Sequence, residues 1–226
     1  MARRIKGNFH LFLLFLSLQI LVYPFLHAGF THRIIMNVLL GALLVSGVLA
    51  FVQKRRVMIV ALSLAVLTLV VALVGLVVPG PGLVIARHSL FAAFLVLTAG
   101  VLLKVVLGKG PVTSHKLSGA VCVYLLIGVI WSLLFGILEI AAPGSLRFSG
   151  ADAGVQEALR TGAPQGAMTY FSFVTLTTLG YGDIVPVSQA ARSLVSVEAL
   201  LGQLYLTILV ARLVGLHMTH SGMTRD

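Results

Sequence analysis

Thr175-Leu176-Thr177-Thr178-Leu179-Gly180-Tyr181-Gly182-Asp183 is a short run of threonines and glycines set between two apolar stretches. Lipid tolerates irregular backbone only where protein buries it or where it lines a watery cavity. These residues therefore form either a surface turn or a loop that re-enters the membrane and builds a polar path. The residue types favour the path. A monovalent cation stripped of water needs a row of oxygens in place of its hydration shell. Backbone carbonyls supply that row if the chain alternates in conformation, and Gly180 and Gly182 permit the positive φ that places successive carbonyls on one side. The Thr178 hydroxyl can add an oxygen below them. Tyr181 is too bulky to line the path and is expected to wedge the loop against surrounding helices.

Composition sets the surroundings of this loop. Of the 226 residues 59% are hydrophobic and only 10% charged, against about 25% charged in a soluble domain. Mean hydropathy is +1.08. An integral membrane protein is expected. The net charge of +10 would suit a nucleic-acid partner, but the basic residues sit in short connectors between apolar runs, and no basic face carries interleaved aromatics. No nucleic acid is expected as a partner. The single cysteine, Cys122, lies in an apolar run, so no disulfide within the chain is possible. There is no nucleophile–base set, so an enzyme is not expected. Of the histidines (His10, His27, His32, His88, His115, His217 and His220), only His217/His220 has a spacing that suits a metal, and that pair reads as a solvated tail.

A helix needs about 20 apolar residues to cross the hydrocarbon core. Six stretches qualify, residues 9–26, 34–52, 57–78, 88–107, 117–142 and 189–218. Residues 166–177 form a seventh helical piece, too short to span, that suits a re-entrant helix leading into the loop. The expected fold is thus an all-α membrane protein with six transmembrane helices, a re-entrant helix and an extended loop. With six spans, Arg3, Arg4, Lys6, Lys54, Arg55, Arg56, Lys104, Lys109, Lys116, Arg212 and Arg225 share one side, which is eleven of the sixteen Lys and Arg. The positive-inside rule makes that side the cytoplasm, with both termini there and the loop opening outward. A cleaved signal peptide would also begin with basic residues and an apolar run, but this run is long and no A-x-A-like site follows it. Pro79-Gly80-Pro81-Gly82 reads as an outward turn between the third and fourth helices. Residues 143–165, with Arg147, Asp152, Glu157 and Arg160, read as a solvated outer loop.

At its central loop the chain resembles the tetrameric potassium channel family. The family's selectivity loop is T-V-G-Y-G; here it reads Thr178-Leu179-Gly180-Tyr181-Gly182, followed by Asp183. Leu179 replaces a valine that contributes its carbonyl, so the change concerns packing behind the loop. From Leu117 onward, about half of the chain, the order is similar to the pore module of that family: outer helix, turret, pore helix, filter and inner helix. Gly108-Lys109-Gly110-Pro111 then separates a four-helix peripheral domain, residues 1–110, from a pore domain, residues 111–226.

The resemblance implies roles for named residues. Thr178, Leu179, Gly180, Tyr181 and Gly182 would hold K+, the permeant ion, with no other cofactor. Asp183 would sit at the outer mouth, where it concentrates cations or braces the filter. Tyr170, Phe171, Val174, Thr175 and Thr177 would support the filter. Tyr170 falls where relatives often place an aromatic donor to the aspartate, so a Tyr170–Asp183 hydrogen bond is expected. Phe171 stands where many relatives have a tryptophan that bonds the filter tyrosine, and Val174 where some bacterial relatives have a glutamate. In the inner helix, Ala199, Gln203, Leu206 and Val210 repeat at i, i+4, i+7 and i+11 on one face, which would line the cavity. Gly202 lies where the family has its hinge glycine, and close packing against the pore helix is an equal alternative. Glu198 is an acid inside a span, by default a functional residue, or else a neutral one hydrogen-bonded behind the filter.

One filter per chain implies a homotetramer, with the lipid bilayer as the other partner and a multi-pass place in the plasma or inner membrane. The fourth helix carries only Arg87 and Lys104 near its ends. One charge crossing 100 mV gains about 2.3 kcal/mol, so gating by a fourth-helix voltage sensor is not expected. No cytosolic nucleotide- or calcium-binding domain is expected after the last span. The expected function is passive, selective K+ conduction. The alternatives are a regulatory or non-conducting subunit of a mixed channel, and a potassium transporter subunit, although such transporters carry four pore loops in one chain.

Overall fold

The computed structural model of the protein describes residues 9–22, 30–49, 55–78, 80–108, 113–149 and 165–222. Within them lie helices α1 (Phe9–Val22), α2 (Phe30–Leu49), α3 (Arg55–Val77), α4 (Pro81–Val106) and α5 (Ser114–Ala141). Strand β1 (Leu146–Phe148), helix α6 (Gln165–Leu176), strand β2 (Ile184–Pro186) and helix α7 (Gln189–Gly222) follow. Four stretches are long and apolar enough to cross a membrane: Arg55–Val77, Pro81–Val106, Lys116–Ala141 and Gln189–Arg212. His10–Val22 and Ile34–Leu49 are apolar but shorter. The residues that would carry the first span to Leu26 and the second to Val52 lie outside the described residues, as do Asp152, Glu157, Arg160, Lys109-Gly110-Pro111 and Arg225.

The helices pack as membrane helices do. Lipid tails are as apolar as leucine, so helices associate through close contact at small residues. Ala61, Ala65, Thr68 and Ala72 form the buried stripe of α3, while Ile59, Leu62, Val66 and Leu73 on its other faces stay exposed. Helix α4 lies between α3 and α5, and α1 packs on α2 and α5. Phe12, Leu16, Leu43, Phe94, Leu95, Leu102 and Leu126 fill the core between them. Gly47 of α2 sits so close to α4 that a Cβ there would come within 2.7 Å of Phe94 Cζ. Buried hydroxyls bond back to their own helices: Ser46 to the Leu43 carbonyl at 2.9 Å, Thr98 to Phe94 at 2.8 Å and Ser132 to Val129 at 2.8 Å. None is left unsatisfied against lipid.

One expectation needs correction. Helix α4 begins at Pro81, seven residues before the expected start at 88. Gly80 is the extended N-cap residue and Pro81 follows at the first helical position, where a missing N–H costs nothing and the fixed φ suits the helix. The turn is therefore shorter than its Pro-Gly repeat suggests, and Arg87 and His88 fall in the second turn of α4, with His88 buried. Beside the helices stands one short strand pair. Strands β1 and β2 pair antiparallel, Leu146 opposite Pro186, Arg147 opposite Val185 and Phe148 opposite Ile184.

The two ends of α5 are tied differently. At the end that leads into β1, Glu139 accepts hydrogen bonds from Gly144 N at 2.7 Å and Leu146 N at 2.9 Å, one on each carboxylate oxygen. Gly144 takes φ +84 in the turn between, a conformation open to glycine. At the opposite end, Lys116 Nζ donates to the Gly108 carbonyl at 3.0 Å. Arg212 of α7 donates to Leu107 O and, at 3.1 Å, to Gly108 O. Both cations meet the partial negative charge at the C-terminal end of α4.

Glutamine at position 139 would offer one acceptor oxygen in place of two. Glu139→Gln is expected to lower unfolding stability by about 1–3 kcal/mol, measured as chemical or thermal unfolding in detergent. A change under about 0.5 kcal/mol would show that these bonds do not hold β1.

Candidate functional site

Helix α6 delivers the loop. A helix leaves its last four carbonyls without partners in the helix itself, and the loop folds back onto those of α6. Thr178 N donates to Thr175 O at 2.9 Å, Leu179 N to Val174 O at 2.9 Å and Gly180 N to Val174 O at 3.3 Å. Successive loop amides thus point back at the helix. Thr178, Gly180 and Gly182 take φ +59, +59 and +78, while Leu179 and Tyr181 between them do not have positive φ. A backbone that alternates in this way turns successive carbonyls to one side. Among the described residues Thr178 is the one non-glycine with positive φ, a placement that costs about 1–2 kcal/mol. Its Oγ1 donates to Thr177 O at 2.7 Å. The sequence reading assigned the positive-φ positions to the glycines alone, and the every-second-residue spacing back from Gly180 was the signal for the third.

Beyond the loop, Tyr170 Oη donates to Asp183 Oδ2 at 2.7 Å, and Ile184 N donates to Asp183 Oδ1 at 3.0 Å. The Asp183 carbonyl accepts from Ser149 N at 2.7 Å. The expected Tyr170–Asp183 bond is therefore in place, and its hydrogen bond, followed by partial burial and the charge of Asp183, pushes the Tyr170 phenol up to about 12. The β1–β2 pairing continues this brace, so that the chain leaving the loop is stitched to the chain leaving α5.

Phe171 is buried and packs edge-on against Phe135, with ring centroids 4.9 Å apart, and Phe135 lies 6.0 Å from Trp131. It joins α6 to α5. Val174 is buried too, and its carbonyl rather than its side chain serves the loop. Thr175 contributes its carbonyl in the same way, and Thr177 Oγ1 donates to Phe173 O at 2.6 Å. Tyr181 is uncovered within its own chain. It is 67% exposed, and Leu179 is 54% exposed, so neither wedges against helices of its own chain.

Helix α7 closes the base. Gln203 Nε2 lies 3.5 Å from Thr178 Oγ1, which puts the face of Ala199, Gln203, Leu206 and Val210 on the side of the loop's start. Leu206 and Val210 are exposed on it. Gly202 lies beside that face, turned toward the end of α6. A Cβ there would meet Leu176 O at 2.6 Å and Leu176 Cδ1 at 2.8 Å, and α7 runs unbroken through the position. Of the two readings of Gly202, close packing is the one this geometry carries.

Several contributors escaped the sequence reading. Tyr124 Oη reaches Leu176 O at 3.5 Å, Tyr205 Oη donates to Ala120 O at 2.7 Å, and their rings stack with centroids 6.0 Å apart. Ser172 of α6 lies within hydrogen-bond distance of Gly128 O and of Glu198. Gly128 leaves room for Phe173, whose Cζ a Cβ would approach to 2.7 Å. Each is a common residue in an apolar run; only tertiary contact singles it out.

The obstacle at Gly202 is backbone and cannot swing aside. Gly202→Ala is expected to destabilise by about 1–3 kcal/mol through overpacking, more than the roughly 1 kcal/mol that alanine gains in a helix. Gly75→Ala, where nothing lies within 4 Å, is the control and is expected to be neutral or stabilising. Unfolding in detergent reads both, and equal effects would show that Gly202 is not a packing position.

No curated protein and no solved structure matches the chain. A family model described as "Ion channel" matches residues 120–217, a little under half of the chain. The match begins in α5, takes in α6 and the loop, and ends in α7. Residues 120–217 are thus similar to the ion channel family, and the chain is a membrane protein.

Proposed function

We propose that the protein is a potassium-selective channel in which four copies bring their Thr178–Gly182 loops around one path and K+ passes passively down its gradient. The observation that carries this reading is the alternation of positive φ at Thr178, Gly180 and Gly182 within the sequence Thr178-Leu179-Gly180-Tyr181-Gly182. The loop amides are tied back to α6, which leaves the carbonyls to replace an ion's water. A single loop supplies one wall of such a path, so several copies are needed. The exposure of Leu179 and Tyr181 supports the assembly, because both side chains stand at the loop without cover from their own chain. Leu201 and Leu204 of α7 are exposed as well. The C-terminal end of α6 adds a partial negative charge that favours a cation below the loop.

In this reading α1 and α2 count as spans beside the four longer helices, giving six, with both termini in the cytoplasm and the loop opening outward. Asp183 stands at the outer mouth, and Ala199, Gln203, Leu206 and Val210 face the cavity. Helix α4 has Arg87 and Lys104 as its only Lys or Arg, which is too little charge for a steep response to voltage, at about 2.3 kcal/mol per charge per 100 mV.

The test is the reversal potential of the purified protein in a planar bilayer, with potassium on one side and sodium on the other. It is expected to lie near the potassium equilibrium potential. Gly180→Ala forces alanine into φ +59, at about 1–2 kcal/mol per site, and is expected to abolish the selective current, whereas Leu179→Val should preserve it. Current that reverses near zero would overturn the selectivity.

A further inference from the structure

Two acidic side chains are buried among the described residues, Glu139 and Glu198, and their oxygens keep different company. Each oxygen of Glu139 accepts a backbone N–H, which is how an ionised carboxylate is satisfied. Glu198 is 0% exposed. Its Oε1 lies 2.5 Å from Ser172 Oγ, and its Oε2 has no partner among the described residues.

The serine's two oxygen neighbours bear on where the proton sits. Ser172 Oγ is also 2.7 Å from the Gly128 carbonyl. A hydroxyl has one proton to give, and a carbonyl can only accept. If Glu198 were ionised, one of these two contacts would set lone pair against lone pair. With a proton on Glu198 Oε1, each contact holds one hydrogen: Glu198 donates to Ser172 Oγ, and Ser172 donates to Gly128 O. Oε2 is then an uncharged carbonyl oxygen, far less costly to leave unpartnered than half of a buried carboxylate. Helix α5 faces Glu198 with the Tyr124 phenol, and α6 faces it with Ser172. On α7 itself, Arg192 Nε is turned to Pro186 O at 3.4 Å. Among the described residues no cation compensates a charge here.

This relay joins three helices behind the loop. Ser172 belongs to α6, Gly128 to α5 and Glu198 to α7. One turn further along α7, Gly202 rests against Leu176 O at the end of α6. We propose that Glu198 keeps its proton at neutral pH and is a positioning residue, clamping α7 through Ser172 to α6 and α5, and that loss of this proton parts α7 from the base of the loop and stops the current. The clamp is complete while the carboxyl is neutral and fails as rising pH ionises it, so conduction falls on the alkaline side. The effect on current rests on the channel reading above; the protonation does not.

Infrared spectroscopy separates the two. Carbon-13 in the glutamate side-chain carboxyl marks three residues, Glu139, Glu157 and Glu198. At neutral pH the labelled protein is expected to show the C=O band of a neutral carboxylic acid. The band should vanish in Glu198→Gln and shift in Ser172→Ala, where the donor loses its acceptor, so that either variant assigns it. Absence of the band at neutral pH overturns the proposal. In bilayers the native current is expected to fall about tenfold or more once the band is titrated away. Glu198→Gln keeps an uncharged N–H donor and should conduct without that fall. An alkaline fall that persists in Glu198→Gln overturns the clamp. A titrating band in a protein that never passes current overturns the channel reading and leaves the proton on Glu198.

Discussion

A loop that turns its carbonyls to one side has to place its amides elsewhere, and here the carbonyl of Val174 takes two of them. Everything around the loop serves that exchange. The donors are Leu179 and Gly180, the acceptor lies in the last turn of α6, and Thr178 bonds one residue further along, to Thr175. An α-helix ends with carbonyls that need partners, and the loop that follows has amides that need removing. Joining them satisfies both without any side chain. Side-chain identity then matters at few places in the loop, chiefly where φ is positive.

Such a loop is only as fixed as the helix it hangs from. Helix α6 has twelve residues, and an isolated helix of that length is marginal. It is held from three sides. Phe171 locks into the Phe135–Trp131 cluster of α5, Ser172 bonds to Gly128 of α5 and Glu198 of α7, and Tyr170 reaches past the loop to Asp183. The outer brace runs on through β1 and β2 to Glu139. These ties join elements far apart in the chain, so the loop geometry depends on α5 and α7 being correctly placed first.

This explains what the sequence made legible. Thr178 to Asp183 stood out because glycine spacing encodes backbone conformation directly, and conformation is local. Four of the spans were legible because an apolar run must be as long as the bilayer is thick. The start of α4 was misread because Pro-Gly-Pro-Gly contains both a turn and a helix start, and proline suits either. Phe171 was legible as lacking a donor, but its packing against Phe135 depends on where α5 lies. Ser172, Gly128, Tyr124 and Tyr205 carry no periodicity or motif of their own, and Glu139 sits at the end of an apolar run with nothing local to show which amides it meets. Gly202 was ambiguous for the same reason: a glycine in a helix looks alike whether it bends or admits a neighbour, and only the nearness of Leu176 O decides.

The two helix ends on either side of α5 show how the same physics serves opposite purposes. The C-terminal end of α4 carries partial negative charge, and Arg212 and Lys116 are brought to it from α7 and α5. The C-terminal end of α6 carries the same kind of charge, yet the groups that meet it are loop amides and the Tyr124 hydroxyl, all of them neutral. A lysine or arginine there would have been stabilising for the fold and, on the proposed reading, would have occupied the place of the cation. The chain puts its fixed cations where a junction between helices is to be held shut. At the proposed path it satisfies the carbonyls with dipoles alone, so that the remaining field acts on an ion free to leave.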